Sequence, residues 1–329
     1  MRRWLTLLLV TLLVVGAASV ASAKEKLMVY TSMKEVLIGE IRDAFVKKYP
    51  DIQFDYYSAG AGKIMAKIAA ERQAGKIAAD VIWTSEIPDF YQMKSQGILE
   101  KYVSPEAKYI LSPVKDPDGY FTPARLGTLG IAYNTTKVKT PPKTWDDLAG
   151  PAFKDGFGIA NPSLSGTSMV SVAMLVNNFG WEYIEKLRKN GAKMGQGSGQ
   201  VVDDTAMGDL KACIAVDYIT LDKIESGATL GFVYPAGKML VVPSPMAIFK
   251  GTPNLSAAKK FIDFMLSKEG QKLIAKSLTL PIRQDVDIVP GKGLIDPDEA
   301  VKRAFPIDYV KMIAEKEGIA EKFAAIMTK

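Results

Sequence analysis

The sequence contains no histidine and only one cysteine among its 329 residues. Without histidine, Ser–His–Asp catalysis, Cys–His catalysis and every histidine-based metal site are excluded. A two-carboxylate glycosidase or a Ser–Lys hydrolase remains formally possible. Because Cys213 has no partner, no intrachain disulfide can form. Its position in the apolar run 212–216 predicts a small buried hydrophobic residue and not a nucleophile.

Blocks of one charge and long internal apolar runs are also lacking. The formal net charge is +6, and the charged residues are interspersed along the chain. This pattern disfavours a nucleic-acid partner, although a mildly positive surface can help to attract small anions. The only long apolar run is N-terminal, so we expect the remainder of the chain to be soluble.

The first 23 residues have the order of a secretory signal. Arg2 and Arg3 precede a largely apolar stretch, residues 4–20, and Ala21–Ala23 supplies the small residues of a cleavage site. We expect cleavage near Ala23 and export of a chain that starts near Lys24. An uncleaved membrane anchor is the alternative, but the apolar run is short for a span of about 20 residues.

Strands and helices alternate in the hydropathy pattern, which is typical of parallel α/β construction. About 306 residues follow the signal segment, which is more than one hydrophobic core usually holds, so we expect two domains. The predicted strands are 27–30, 52–56, 80–83, 129–133, 158–162, 214–217 and 239–242. The predicted helices are 35–49, about 62–74, 88–96, one beginning at Thr144 as N-cap, 169–179, 256–266 and 268–276.

Small hydroxyl and glycine residues stand at several strand ends, directly before predicted helices. Such turns present backbone N–H groups and the positive end of a helix dipole, and hydroxyls add neutral donors. Ligands of open α/β sheets bind outside the carboxyl ends of the strands. Each turn alone is equally explained as a helix cap. The candidate anion-binding residues are Thr31, Ser32, Gly60, Ala61, Ser85, Ser163, Ser165, Gly166 and Thr167.

Four further residues are candidates for ligand contact, each with a structural alternative. Asp217, next to Tyr218, could receive a cation or a ligand hydroxyl, or could form a strand-end turn. Tyr234 could stack on a ligand or cover the core. Arg125 could contact an anion or form a salt bridge.

Several segments, in this order, resemble the type 2 periplasmic substrate-binding proteins of ABC importers. The resemblance covers nearly the whole chain after the signal segment, and its branch is the group for ferric iron, phosphonates and phosphorylated compounds. The segments are LMVYTSMKEVLIGEIRDAFVKKYPDIQFDYYSAGAGKIMAKI, ADVIWTSEIPDF, GIAYN, TWDDL, NPSLSGTS and YPAGKMLVVPSPMAIFKGTPN.

The resemblance implies an α/β fold of two lobes that close on a ligand like a flytrap. It places the first lobe at residues 24–121 and 243–329 and the second at 122–242, with C-terminal helices that could pack across both. It further implies a monomer in the periplasm that needs no cofactor, performs no catalysis and delivers its ligand to a membrane permease. A secreted histidine-free hydrolase is a distant alternative.

The ligand is less clearly indicated than the family. Iron-binding relatives typically supply an adjacent tyrosine pair, whereas this chain has Asp217 and Tyr218 at the corresponding position. With a synergistic anion these two could still hold ferric iron, which prefers hard oxygen ligands. The hydroxyl-rich turns fit a phosphate or phosphonate better, and Asp217 would then pair with an amine or a sugar hydroxyl of the ligand. We therefore expect a small anionic solute, with iron as the alternative.

Overall fold

The structure is a computed structural model that describes residues 24–111 and 116–329. The predicted signal segment, residues 1–23, lies outside the described residues. Across the two described ranges, no helix combines the length and the apolar character needed to cross a membrane.

Strands and helices alternate through most of the described chain. Strands β1 to β10 are Glu25–Thr31, Ile52–Ser58, Val81–Trp83, Leu99–Glu100, Thr122–Asn134, Phe157–Ala160, Lys193–Gly195, Ala212–Val216, Leu230–Val233 and Leu240–Phe249. Helices α1 to α11 are Glu35–Lys48, Ala61–Gln73, Ile87–Ser95, Gly166–Phe179, Trp181–Lys189, Ser198–Met207, Asp217–Glu225, Leu255–Leu266, Lys268–Lys276, Pro297–Arg303 and Tyr309–Met327. Short 3₁₀ turns are Pro105–Tyr109, Asp146–Ala149 and Pro151–Phe153.

The ten strands form one mixed sheet, in which eight follow the order β2-β1-β3-β10-β5-β8-β6-β7, while β4 pairs with β10 and β9 pairs with β5. Strands β1, β2 and β3 are mutually parallel at one end, and β6, β7 and β8 at the other. The long antiparallel pair β5 and β10 joins the two ends. We call β1–β3 with α1–α3, α8 and α9 the first lobe, and β6–β8 with α4–α7 the second lobe. The molecule is thus a two-lobed α/β protein, and the boundaries at 121/122 and 242/243 stay a prediction.

Each lobe has an apolar core that follows from its helix patterning. Helix α1 buries Ile41 and Phe45 on the face towards the sheet. The Phe45 ring meets Phe54 and Phe261 edge-on, with centroids 5.5 and 5.6 Å away. Burial contributes roughly 1.5–3 kcal/mol for each such side chain. In the second lobe every residue of 169–175 in α4 is buried, so this helix lies inside the fold.

The C-terminal helix α11 crosses between the lobes. It packs against α3 of the first lobe and against α4 and α5 of the second. Phe323 on this helix is completely buried. The helix therefore connects the lobes at a place separate from β5 and β10.

Strand β5 begins at Thr122 and not at Leu129, and helices α5, α6, α10 and α11 and strands β4, β7 and β9 have no predicted counterpart. Three further departures are as follows. The segment at Thr144 forms a 3₁₀ turn, in which the Asp147 N–H donates to the Thr144 hydroxyl at 3.3 Å, and not an α-helix. Strand β8 ends at Val216, and Asp217 opens α7, where a carboxylate is favourable at the positive helix end. Strand β10 continues to Phe249 through two prolines because the register shifts at Ser244/Pro245.

Candidate functional site

A cavity of about 70 Å³ lies where the two lobes meet. Nine of the residues predicted from the sequence line it: Ser32, Gly60, Ala61, Ser85, Arg125, Ser165, Gly166, Thr167 and Tyr218. Seven further lining residues were not predicted: Met33, Lys34, Leu164, Gly197, Ser198, Val216 and Ile219. Both lobes supply walls, so the cavity exists only when the lobes approach each other.

Five helix N-termini converge on this cavity. The N-cap residues of α1, α2, α4, α6 and α7 all line it, and they are Lys34, Gly60, Ser165, Gly197 and Val216. The first N–H groups of a helix have no intrahelical acceptor, and the helix dipole adds positive potential there. Five such ends around one space make a strong anion site without requiring five cations.

Three hydroxyls form a triangle on the second-lobe wall. Ser165 Oγ lies 3.0 Å from Thr167 Oγ1 and 2.8 Å from Ser198 Oγ, and Thr167 Oγ1 lies 2.9 Å from Ser198 Oγ. Ser165 Oγ also accepts a hydrogen bond from the Ser168 N–H at 3.3 Å, as the cap of α4. A hydroxyl rotates freely, so each of the three can turn its proton from its neighbour to a ligand oxygen.

Two of the residues that line the cavity carry positive charge, the exposed Lys34 and the buried Arg125. Arg125 is 1% exposed. One of its terminal nitrogens donates to Thr279 Oγ1 at 2.6 Å and lies 3.5 Å from Asp217 Oδ1. The guanidinium carbon is 4.9 Å from the centroid of the Tyr218 ring. The guanidinium is therefore fixed in position before any ligand arrives.

Asp217 lies behind the wall, fully buried. Its carboxylate accepts from the Tyr218 N–H at 2.7 Å, from the N–H and hydroxyl of Thr128 at 3.0 Å each, and from Thr279 Oγ1 at 2.9 Å. Thr128 Oγ1 is in turn 2.8 Å from the Tyr234 hydroxyl. Burial raises the pKa of Asp217, while Arg125 and these donors lower it. The network holds the Arg125 guanidinium in position on the side away from the cavity. It also occupies the acceptor positions of the Asp217 carboxylate.

Tyr218 provides a hydrogen bond between the lobes. Its hydroxyl accepts from the Lys34 N–H of the first lobe at 3.0 Å. Burial raises the pKa of this phenol to about 12, and the nearby Arg125 lowers it only in part. The hydroxyl is therefore neutral in ordinary buffers, and iron binding would require its deprotonation.

Glycines allow the lobes to come this close. A Cβ at Gly60 would lie 2.5 Å from the Leu164 carbonyl oxygen. A Cβ at Gly62 would overlap the Ser163 carbonyl oxygen and lie 3.3 Å from its carbonyl carbon. Since both neighbours are backbone atoms of the second lobe, they cannot rotate away.

A buried charged cluster lies beside the cavity, between α3, α4 and α11. Glu86 Oε1 is 2.5 Å from Lys316 Nζ, which also pairs with Asp89. A Cβ on Gly166 would lie 2.8 Å from Glu86 Cβ, so Glu86 touches the start of α4. Burial and the charge of Asp89 raise the pKa of Glu86 and Lys316 lowers it, with the net result that this pKa is raised to about 7. Burial also raises the pKa of Asp89.

Four residues predicted to contact the ligand lie outside the cavity wall. The Thr31 hydroxyl accepts from the Met33 N–H at 3.1 Å and shapes the turn before α1. Ser163 is exposed, although its carbonyl faces Gly62. Asp217 and Tyr234 belong to the buried network described above. Thr31, Asp217 and Tyr234 therefore stay outside the wall because their side chains bond to neighbouring protein groups.

Three of the unpredicted wall residues, Gly197, Ser198 and Lys34, carry a usable signal in the sequence. Residues 195–200 read Gly-Gln-Gly-Ser-Gly-Gln, the same kind of small-residue turn that pointed to the other loops, and they lead into α6. Lys34 lies two residues after the Thr31–Ser32 strand end. Val216 and Ile219 have no such signal, because apolar residues beside a buried strand usually belong to the core.

Comparison with known proteins agrees with this architecture. The family model for bacterial extracellular solute-binding proteins matches residues 77–298. A "Putative 2-aminoethylphosphonate-binding periplasmic protein" of Salmonella typhi is 26% identical over 255 residues, covering 74% of this chain and 73% of the relative.

Two solved structures extend the comparison to three dimensions. The periplasmic binding protein AfuA from Actinobacillus pleuropneumoniae, with exogenous fructose-6-phosphate bound, is 26% identical with a TM-score of 0.82. The alignment covers 92% of this chain and 98% of the AfuA chain. Iron-bound HitA from Pseudomonas aeruginosa shares the fold at 23% identity and a TM-score of 0.76, covering 91% and 99%.

The family match spans well over half of the chain, and the solved structures align with both lobes. The cavity lies between the lobes, as expected for a protein that closes on its ligand. The chain therefore belongs to the bacterial extracellular solute-binding proteins, the ligand-binding components of ABC importers.

Proposed function

We propose that this protein binds a small phosphorylated or phosphonate anion in the interlobe cavity and delivers it to a membrane permease. The convergence of five helix N-termini on one cavity carries the proposal. A tetrahedral oxyanion has several acceptor oxygens, and this wall has donors on several sides. Backbone N–H groups, three hydroxyls and two cations can all point at such a group at once.

The names of the relatives support the same ligand chemistry. The Salmonella relative is named for a phosphonate, and the AfuA structure holds a sugar phosphate. Both ligands share a phosphoryl-type group. The cavity of about 70 Å³ is smaller than the usual 300–1,000 Å³ of ligand pockets, which favours a ligand with a short organic part.

We propose that the protein binds without catalysing a reaction. The hydroxyls of Ser165, Thr167 and Ser198 bond to one another, and no described contact joins them to a general base. The predicted signal segment and the family support a periplasmic monomer with a permease as partner. An unchanged ligand after prolonged incubation is the expected result, and a phosphate-releasing turnover would contradict it.

Isothermal titration calorimetry tests the ligand class. The panel is inorganic phosphate, methylphosphonate, propylphosphonate and fructose-6-phosphate. Hydrogen bonds to a charged group contribute roughly 1.5–3 kcal/mol each, so Ser198→Ala and Thr167→Val should each weaken binding by about tenfold or more. Ser95→Ala removes a hydroxyl that bonds only to the Gln92 carbonyl on the surface of α3 and serves as the control. Wild-type affinity in both cavity variants would show that the hydroxyl triangle does not bind the ligand.

Binding of ferric iron is the alternative function, and its demonstration would replace this proposal. Tyr218 lines the cavity, and a phenolate bound to ferric iron would give a visible charge-transfer band. Asp217 is already saturated by protein donors, so Tyr218 would have few protein partners in holding iron. A strong band after loading with ferric citrate, lost in Tyr218→Phe, together with no binding of any panel member, would make this an iron carrier.

A further inference from the structure

The cavity wall is cationic and contains no carboxylate. Among the described residues that line it, Lys34 and Arg125 carry positive charge, and no aspartate or glutamate is present. The five helix ends add further positive potential. A ligand group with its own positive charge would therefore find no ionic partner in the wall.

Asp217, the carboxylate nearest to Arg125, cannot serve such a group from behind the wall. It is fully buried and already accepts five hydrogen bonds, from two N–H groups, two hydroxyls and one guanidinium nitrogen. An ionised carboxylate has about four lone-pair positions. A ligand ammonium would have to displace Thr128 or Thr279, and the wall residue Arg125 stands in between.

Glu86 is a second carboxylate close to the cavity, since it contacts the lining residue Gly166, and it too has a partner. Lys316 Nζ lies 2.5 Å from its Oε1 and also pairs with Asp89. Burial and the charge of Asp89 favour the protonated form of Glu86, whose pKa is raised to about 7. Both Glu86 and Asp89 pair with Lys316, and neither lines the cavity wall, so this cluster offers no free carboxylate to a group in the cavity.

From this charge arrangement, and resting on the proposed function, we propose a selection rule for the ligand. The site selects phosphonates and phosphate esters whose organic part is uncharged, and it discriminates against aminoalkylphosphonates. An ammonium in the closed cavity would be a desolvated cation among Lys34, Arg125 and helix N-termini. Leaving such a charge unpaired is strongly unfavourable. The Salmonella relative is thus a guide to the phosphonate group and not to the amine.

A matched ligand pair tests this rule by calorimetry on the full exported chain. Propylphosphonate and 2-aminoethylphosphonate have the same number of heavy atoms and differ by a methyl in place of the ammonium. We expect propylphosphonate to bind about tenfold more tightly or better. Equal or tighter binding of 2-aminoethylphosphonate would overturn the selection rule and leave the proposed function standing. Failure of both, with failure of phosphate and fructose-6-phosphate, would overturn the proposed function itself.

Two lysine variants identify the origin of the discrimination. Lys34→Gln removes one cation from the wall, so both ligands should bind less tightly and the preference for propylphosphonate should narrow. Lys47→Gln makes the same change in the last turn of α1, away from the cavity, and should alter neither affinity. An unchanged preference in Lys34→Gln would contradict the assignment of the discrimination to the charge of the wall.

Discussion

Lobe closure can be tested with a single methyl group at Gly62. This residue is the second of α2, and its missing Cβ is what allows the Ser163 carbonyl of the second lobe to approach. An alanine there would place its Cβ more than about 1 Å inside the ordinary contact distance of a carbonyl oxygen. Since the obstacle is backbone, the lobes must separate to make room.

Two opposing effects of the Gly62→Ala substitution set the expected changes in ligand affinity and in stability. Overpacking in the closed form costs about 1–3 kcal/mol, which corresponds to a loss of about 5–150-fold in ligand affinity. In a form that can open, alanine is favoured over glycine within a helix by about 0.5–1 kcal/mol. The unliganded protein should therefore melt at the wild-type temperature or about 1–3 °C above it.

The assays are calorimetry with propylphosphonate, thermal melting and small-angle X-ray scattering. Gly62→Ala should bind more weakly, keep its stability and show a larger radius of gyration with ligand than the wild type. Gly39→Ala is the matched control, because it lies in α1 and its new Cβ would meet only the Tyr56 hydroxyl at 4.0 Å. Wild-type affinity and radius in Gly62→Ala would refute the closure geometry.

Three other predictions concern buried groups. Asp217→Asn leaves the Arg125 charge uncompensated, so urea unfolding should show a loss of about 3–5 kcal/mol; an unchanged midpoint would contradict the network. Burial raises the pKa of Glu86 from 4.5 to about 7, so between these values the folded state holds a proton that the unfolded state has lost. This stabilisation is complete below pH 4.5 and disappears as the pH rises through 7. Glu86→Gln should therefore lose less stability than the wild type between pH 5 and pH 8, and parallel curves would refute the assignment. Burial raises the pKa of the Cys213 thiol to about 12, so a thiol reagent should label it only after unfolding, and rapid labelling of the native protein would contradict its burial.

Much of the fold was accessible from the sequence because its signals are local. Helix α1 shows its apolar face in the spacing of Ile41 and Phe45, and Pro50 follows its end. The loops that form the cavity are recognisable in the sequence because small residues stand directly before helices, as at Gly60 and Ser165. Parallel strands bring such loops to one edge, which is why the turns could be assigned to a common site.

The remainder depends on contacts between distant residues. Asp217 looks like a ligand acceptor in the sequence, but Thr128 and Thr279 saturate it from other strands and loops. The Tyr234 hydroxyl likewise forms a hydrogen bond with the Thr128 hydroxyl. The start of α7 was missed because Asp217 follows an unbroken apolar strand, so nothing local marks the change from strand to helix. The role of Lys316 is fixed only when α11 packs against α3.

The most direct test of the central claim is a crystal structure of the protein grown with the phosphate or phosphonate that binds most tightly. The account predicts closed lobes with the phosphoryl-type group among the helix N-termini. Its oxygens should lie within hydrogen-bond distance of the Ser165, Thr167 and Ser198 hydroxyls. A ligand bound outside this cavity, or held in it with these three hydroxyls still bonded only to one another, would contradict the account.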